Sequence, residues 1–237
     1  MLRDSQRNMV TMIARSGKTG LILLLLLAGC NPAGERPSRA SASPPAAHAS
    51  RAESPGRIVF LGTSLTAGLG LDPEQAYPAL VQQKLDSAGL PYVAVNAGVS
   101  GETSAGARRR IDWLMREPVA VLVIETGAND GLRGLDVDSL RANIEAIISR
   151  ARQQQPAPRI LLAQMRALPN YGAAYTQRFE AVYQDIARQY GIPLIPFLLD
   201  GFAGVDSLNQ ADNLHPTAAG HRRMAERMWR ALRSELQ

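Results

Sequence analysis

The chain has 237 residues, 46% of them hydrophobic and 20% charged, which excludes a wholly disordered chain or a fibrous repeat. Its formal net charge of +5 lies mostly near the front: residues 57–237 carry 19 Lys and Arg against 18 Asp and Glu, leaving no basic footprint for nucleic acid. The only cysteine, Cys30, excludes an intramolecular disulfide and any cysteine-based zinc site.

Arg3, Arg7, Arg15 and Lys18 lead into the apolar run Leu21–Leu27. That run is too short for a hydrocarbon core of about 30 Å and matches the h-region of an export signal. Leu27-Ala28-Gly29-Cys30 resembles the lipobox of bacterial lipoproteins, in which the cysteine is lipidated and becomes the mature N-terminus. The alternative is an ordinary secretory signal with Ala28 and Gly29 as cleavage-site residues. Asn31 rather than Asp after the cysteine points to the outer membrane of a Gram-negative cell. Residues 31–56 are mostly Ala, Pro and Ser with no large apolar side chain, so a disordered tether is expected, with a coil reach of about 28 Å. The expected organisation is a signal over 1–29, lipidated Cys30 and tether over 30–56, and one domain over 57–237.

Within that domain, short β-rich apolar runs alternate with longer segments of helical period. The strands predicted are Ile58–Gly62, Val93–Asn96, Val119–Glu125, Ile160–Met165 and Leu194–Phe197. Pro73–Ser87, Ser104–Arg116, Val137–Gln154 and Ala173–Tyr190 read as the intervening helices, and Thr217–Leu236 as a final one. This alternation predicts an α/β fold, with a parallel five-stranded sheet between two helical layers. Functional sites in such sheets form at the carboxyl ends of the strands.

Four motifs fall at those ends. Gly62-Thr63-Ser64-Leu65 follows the first strand and puts Ser64 in the crevice, although most serines at such turns only cap or bend the chain. Gly98, in Asn96-Ala97-Gly98-Val99-Ser100-Gly101, can bring a backbone N–H close to a ligand. Asn129, in Gly127-Ala128-Asn129-Asp130-Gly131, can aim an amide N–H at developing negative charge. Asp212-Asn213-Leu214-His215 spaces a carboxylate three residues from an imidazole, so that Asp212 can orient His215 as a general base. Of the three histidines, His48 lies in the tether, and His221 sits in a helical stripe three residues before Met224, where packing or a surface hydrogen bond is expected. The chain lacks the Gly-x-Ser-x-Gly elbow, the dinucleotide fingerprint and the phosphate-loop pattern in this region, and no Cys, His or carboxylate cluster has metal spacing.

Over residues 57–237, these four blocks together resemble the GDSL-type, or SGNH, hydrolases. The resemblance implies a three-layer, flavodoxin-like α/β/α sandwich. It assigns Ser64 as nucleophile, Asp212 and His215 as the rest of a triad, and the Ser64 N–H, Gly98 and Asn129 as oxyanion donors. Asn129-Asp130-Gly131-Leu132-Arg133-Gly134, Gln164-Met165-Arg166 and Asn170-Tyr171-Gly172 look like loops of the periplasmic arylesterase, acyl thioesterase and lysophospholipase branch. One position departs from the family: Thr63 stands where Asp usually precedes the serine, and its side chain is expected to support the loop and face away from substrate.

The expectation is a lipid-anchored serine esterase acting on acyl esters, thioesters or lysophospholipids, monomeric and without cofactor or metal. An envelope-glycan O-deacetylase or acyltransferase is the alternative within enzymes, less favoured by the 5% aromatic content. A lipid-binding lipoprotein without turnover is the alternative outside them.

Overall fold

A computed structural model describes residues 55–236. The segments expected to form the export signal and tether, with Cys30 between them, lie outside the described residues except for residues 55 and 56. Five parallel strands form one sheet: β1 (Gly56–Gly62), β2 (Tyr92–Gly98), β3 (Val121–Ile124), β4 (Arg159–Ala163) and β5 (Leu194–Ile195), in the order β2-β1-β3-β4-β5. Between and after them run α1 (Ser64–Ala67), α2 (Tyr77–Ser87), α3 (Ser104–Leu114), α4 (Ala128–Leu132), α5 (Val137–Ala151), α6 (Ala173–Tyr190) and α7 (Ala218–Glu235). Helix α2 packs against α7 on one side of the sheet, while α5 packs against both α3 and α6 on the other.

The apolar patterns account for these layers. All four residues of β3 are buried, as a continuous Val-Leu-Val-Ile run demands of a strand covered on both faces. On α6 the buried residues are Phe179, Val182, Tyr183, Ile186 and Ala187, the three- and four-residue spacing of a single helical stripe. Helix α5 begins at Asp136, whose carboxylate accepts the Ser139 N–H at 2.8 Å.

Some boundaries differ from the sequence reading for local reasons. The helix expected from Pro73 is split into a 3-10 turn, Pro73–Gln75, and α2, because Pro78 has no N–H to give an earlier turn and sits instead in the first turn of a new helix. Strand β5 stops after Ile195, where Pro196 cannot donate to the ladder. Helices α1 and α4 are additions: the sequence reading treated both segments as turns.

Order 2-1-3-4-5 reverses direction between β1 and β3, which opens a crevice at their carboxyl ends. Ser64 follows β1 and Asn129 follows β3, so both stand at that crevice.

Candidate active site

Ser64 is the first residue of α1, directly beyond β1. Its Oγ lies 2.9 Å from Nε2 of His215, and Nδ1 of the same ring lies 2.6 Å from Oδ2 of Asp212. The turn that carries the last two residues is shaped by Asn213, which adopts a left-handed φ of 57° that Asn tolerates better than most side chains. Bent in this way, the chain lets Asp212 Oδ1 accept the N–H groups of Leu214 and His215, each at 2.9 Å. The His215 hydrogen bond and these two backbone donors hold the Asp212 carboxyl down at about 2. It therefore remains an acceptor for the imidazole at any ordinary working pH. A serine, a base and an oriented carboxylate in this chain can support proton abstraction from the hydroxyl and its attack on a carbonyl.

Ser64 and His215 open onto a cavity of about 500 Å³. Leu65, Leu69, Leu132, Met165, Leu168 and Leu214 give it an apolar lining, and Asn129 and Gly101 border it as well. Its shape and lining suit an acyl chain beside the scissile carbonyl. Met165 and Arg166, singled out in the sequence, both line it, whereas Asn170-Tyr171 forms a 3-10 turn just beyond. Another surface depression, about 570 Å³ between α2 and α7, contains none of these residues. Among the described residues no cluster of His, Cys, Asp or Glu is placed to hold a metal, and no helix is long and apolar enough to cross a membrane.

The loop bearing Gly98 differs from expectation. Gly98 is still within β2, opposite Gly62, and its N–H donates to Asn96 Oδ1 at 3.0 Å. Its lack of a side chain serves packing, since a Cβ there would collide with the backbone of α1 at Ala67. Three residues on, Gly101 borders the cavity, and its carbonyl accepts from Arg133 at 3.0 Å. The next carbonyl, Glu102, accepts from Asn129 Nδ2 at 3.0 Å. Helix α4 thus grips this loop at two consecutive peptides.

Other polar residues complete the frame; the sequence reading gave a role to Thr63 alone among them, as a support for the loop facing away from substrate. Asp130 is buried and receives the Ser104 N–H at 2.8 Å and the Ser104 hydroxyl at 2.6 Å, which joins α4 to the start of α3. Arg110 forks onto Glu102 and reaches the Gly62 carbonyl at 3.2 Å. Thr63 is buried and turned away from the cavity, with its hydroxyl 2.9 Å from Glu125 Oε1. No single-sequence signal marks these contacts, because the partners lie between 8 and 62 residues apart.

His221 is in the core rather than at the surface. Its Nδ1 accepts the Tyr77 N–H at 3.0 Å and its ring stacks on Tyr77. Burial, with a smaller contribution from His215, lowers it from 6.5 to about 4. The folded protein therefore binds fewer protons than the unfolded chain between those values, so stability is lost as pH falls from 6.5 to about 4, by up to roughly 3 kcal/mol. Melting curves across this range should show a shallower acid decline for His221→Gln than for the wild type, and equal declines would refute the assignment.

Comparisons with known proteins agree with this arrangement. Residues 60–223 match the model of the GDSL-like Lipase/Acylhydrolase family. The esterase TesA of Pseudomonas aeruginosa is 40% identical over 177 residues, covering 74% of this chain and 87% of that one. Thioesterase 1/protease 1/lysophospholipase L1 of Escherichia coli K12 is 34% identical over 168 residues, or 70% and 78% of the two chains. The crystal structure of the psychrotrophic esterase EstA from Pseudoalteromonas superposes with a TM-score of 0.72 at 33% identity, covering 76% of this chain and 98% of that one. With the serine motif at the end of β1, the sandwich fold and these relatives in agreement, the chain belongs to the GDSL-like lipase/acylhydrolase family of ester-hydrolysing enzymes.

Proposed function

We propose that this enzyme hydrolyses carboxylic esters and thioesters of apolar acyl groups through an acyl-enzyme on Ser64. The observation that carries the reading is the Ser64–His215–Asp212 hydrogen-bond chain opening onto an apolar cavity. His215 Nε2 takes the Ser64 proton as Oγ attacks the carbonyl carbon, and the proton then passes to the leaving alcohol or thiol. Water, activated by the same nitrogen, attacks the acyl-enzyme and releases the acid.

The oxyanion needs preorganised donors. Ser64, as the first residue of α1, has an N–H with no intrahelical acceptor. Asn129 commits one amide N–H to the Glu102 carbonyl and has a second to give. Gly101 takes the third place in this reading, because it borders the cavity while the Gly98 N–H is already engaged.

The test is hydrolysis of p-nitrophenyl esters of increasing chain length beside acyl-CoA, lysophospholipid and acetylated-glycan substrates. The reading expects turnover of the acyl esters and thioesters and covalent labelling of Ser64 by a fluorophosphonate. Activity confined to the glycan would transfer the enzyme to the deacetylase class, and absence of labelling would remove the acyl-enzyme.

We also propose that the enzyme works outside the cytoplasm, held to a membrane by lipid on Cys30, a reading supported by the lipobox-like Leu27-Ala28-Gly29-Cys30. Radiolabelled palmitate should enter the wild-type protein in a bacterial host and be lost on Cys30→Ser. An unlabelled wild type would refute the anchor.

A further inference from the structure

Glu125 directly follows β3, and its carboxylate is buried without a cationic partner among the described residues. It is surrounded instead by donors. The Thr63 N–H reaches Oε2 at 2.8 Å, the Thr63 hydroxyl reaches Oε1 at 2.9 Å, and the Thr66 hydroxyl reaches Oε2 at 2.8 Å. With the Thr66 proton given to the carboxylate, the Tyr77 hydroxyl, 2.8 Å from Thr66 Oγ1, becomes the donor there. Room for this cluster comes from Gly62, where a Cβ would lie 2.6 Å from Oε2.

Thr63 and Thr66 bracket Ser64. Helix α1 has only four residues and cannot sustain its own geometry, and the Thr63 side chain makes no capping bond to it. Glu125 supplies the missing restraint from the end of the adjacent strand β3, gripping the residue before the serine by its N–H and hydroxyl and the residue two after it by its hydroxyl. Burying a carboxylate is costly: burial pushes its pKa up, and the Thr63 and Thr66 hydrogen bonds pull it back. A neutral side chain could fill the space more cheaply. What the carboxylate uniquely offers is acceptor capacity on both oxygens, which lets all three donors converge on it.

We propose that Glu125 is a positioning residue for the nucleophile: it fixes the backbone on both sides of Ser64, keeping Oγ within reach of His215 and the Ser64 N–H aimed at the oxyanion. The proposal rests on Ser64 being the nucleophile. It acts through Thr63 and Thr66 and involves no contact with substrate.

Fluorophosphonate labelling of Glu125→Gln tests this, because the amplitude counts folded sites while the rate reports the reactivity of each serine. An amide places an NH₂ against one of the converging donors, so the labelling rate constant and kcat should each fall at least about fivefold, with full amplitude and KM within about threefold. A merely structural defect would lower the amplitude and leave the rate of the remaining sites alone. A folded Glu125→Gln enzyme labelled within fivefold of the wild-type rate overturns the proposal. Should that variant fail to fold, Thr66→Val decides: it removes one donor and keeps the shape, and is expected to label at least about threefold more slowly. A smaller change overturns the proposal. A wild-type enzyme that the reagent does not label would instead refute the assignment of Ser64 itself.

Discussion

Ser64→Ala and His215→Ala should each lower kcat by about 10⁴- to 10⁶-fold while leaving the protein folded. Among the described residues Ser64 Oγ has one hydrogen-bond partner, the imidazole at 2.9 Å, so removing the hydroxyl removes both the attacking atom and the hydrogen-bond partner of His215 Nε2. Removing the imidazole leaves a serine whose proton has no acceptor. Neither change should cost much stability, because the His215 side chain is at a partly exposed position and Asp212 keeps the Leu214 and His215 N–H bonds without it. Since the two groups act as one unit, the double variant should be little worse than either single one. Steady-state kinetics with a short p-nitrophenyl ester, paired with melting curves, is the measurement. A fully active His215→Ala enzyme would sink the mechanism. An equal loss of kcat in a well-folded His221→Gln protein would move the base to a histidine that the structure places in the core.

Ordered core and chemistry were legible in the sequence to different depths. The continuous Val-Leu-Val-Ile run and the stripe from Phe179 to Ala187 report directly which faces are covered, so β3 and α6 could be read from pattern alone. For His221 the pattern left packing and a surface hydrogen bond both open, and it is the fold that buries the ring beside Met224 and Ala225 on α7. Helices α1 and α4 could not be read this way. They have four and five residues, contain no full period, and are shaped by Glu125 and Asp130, which reach Thr63 and Ser104 through the fold. Gly98 and Gly101 show the same limit within one loop. Both are glycines beside a strand end, and only the ladder, which absorbs Gly98 into β2 and leaves Gly101 beyond it, separates a packing glycine from one at the cavity. Spacing revealed Asp212 and His215 because their contact is local, three residues across one turn. Glu125 remained unread because everything it holds lies about sixty residues earlier.

Asp212→Asn should reduce kcat by about 10⁴ with little change in KM or melting temperature, even though it alters a single atom at an exposed position. The two carboxylate oxygens have different duties: Oδ1 accepts the N–H groups of Leu214 and His215, and Oδ2 accepts from His215 Nδ1. An asparagine has one acceptor for both. Placing its oxygen at Oδ1 satisfies two backbone donors, so that orientation should win and turn the NH₂ towards Nδ1. The imidazole can then meet that NH₂ only with an unprotonated Nδ1, which puts its hydrogen on Nε2 and leaves no lone pair to receive the Ser64 proton. An alanine imposes no such choice, because water can reach the vacated side, where the Asp212 side chain is 47% exposed, and either tautomer is allowed. The asparagine variant should therefore be at least as slow as Asp212→Ala, an order opposite to that expected from size and polarity. An Asp212→Asn enzyme retaining more than about a tenth of wild-type kcat would show that the carboxylate neither selects the tautomer nor stabilises the imidazolium.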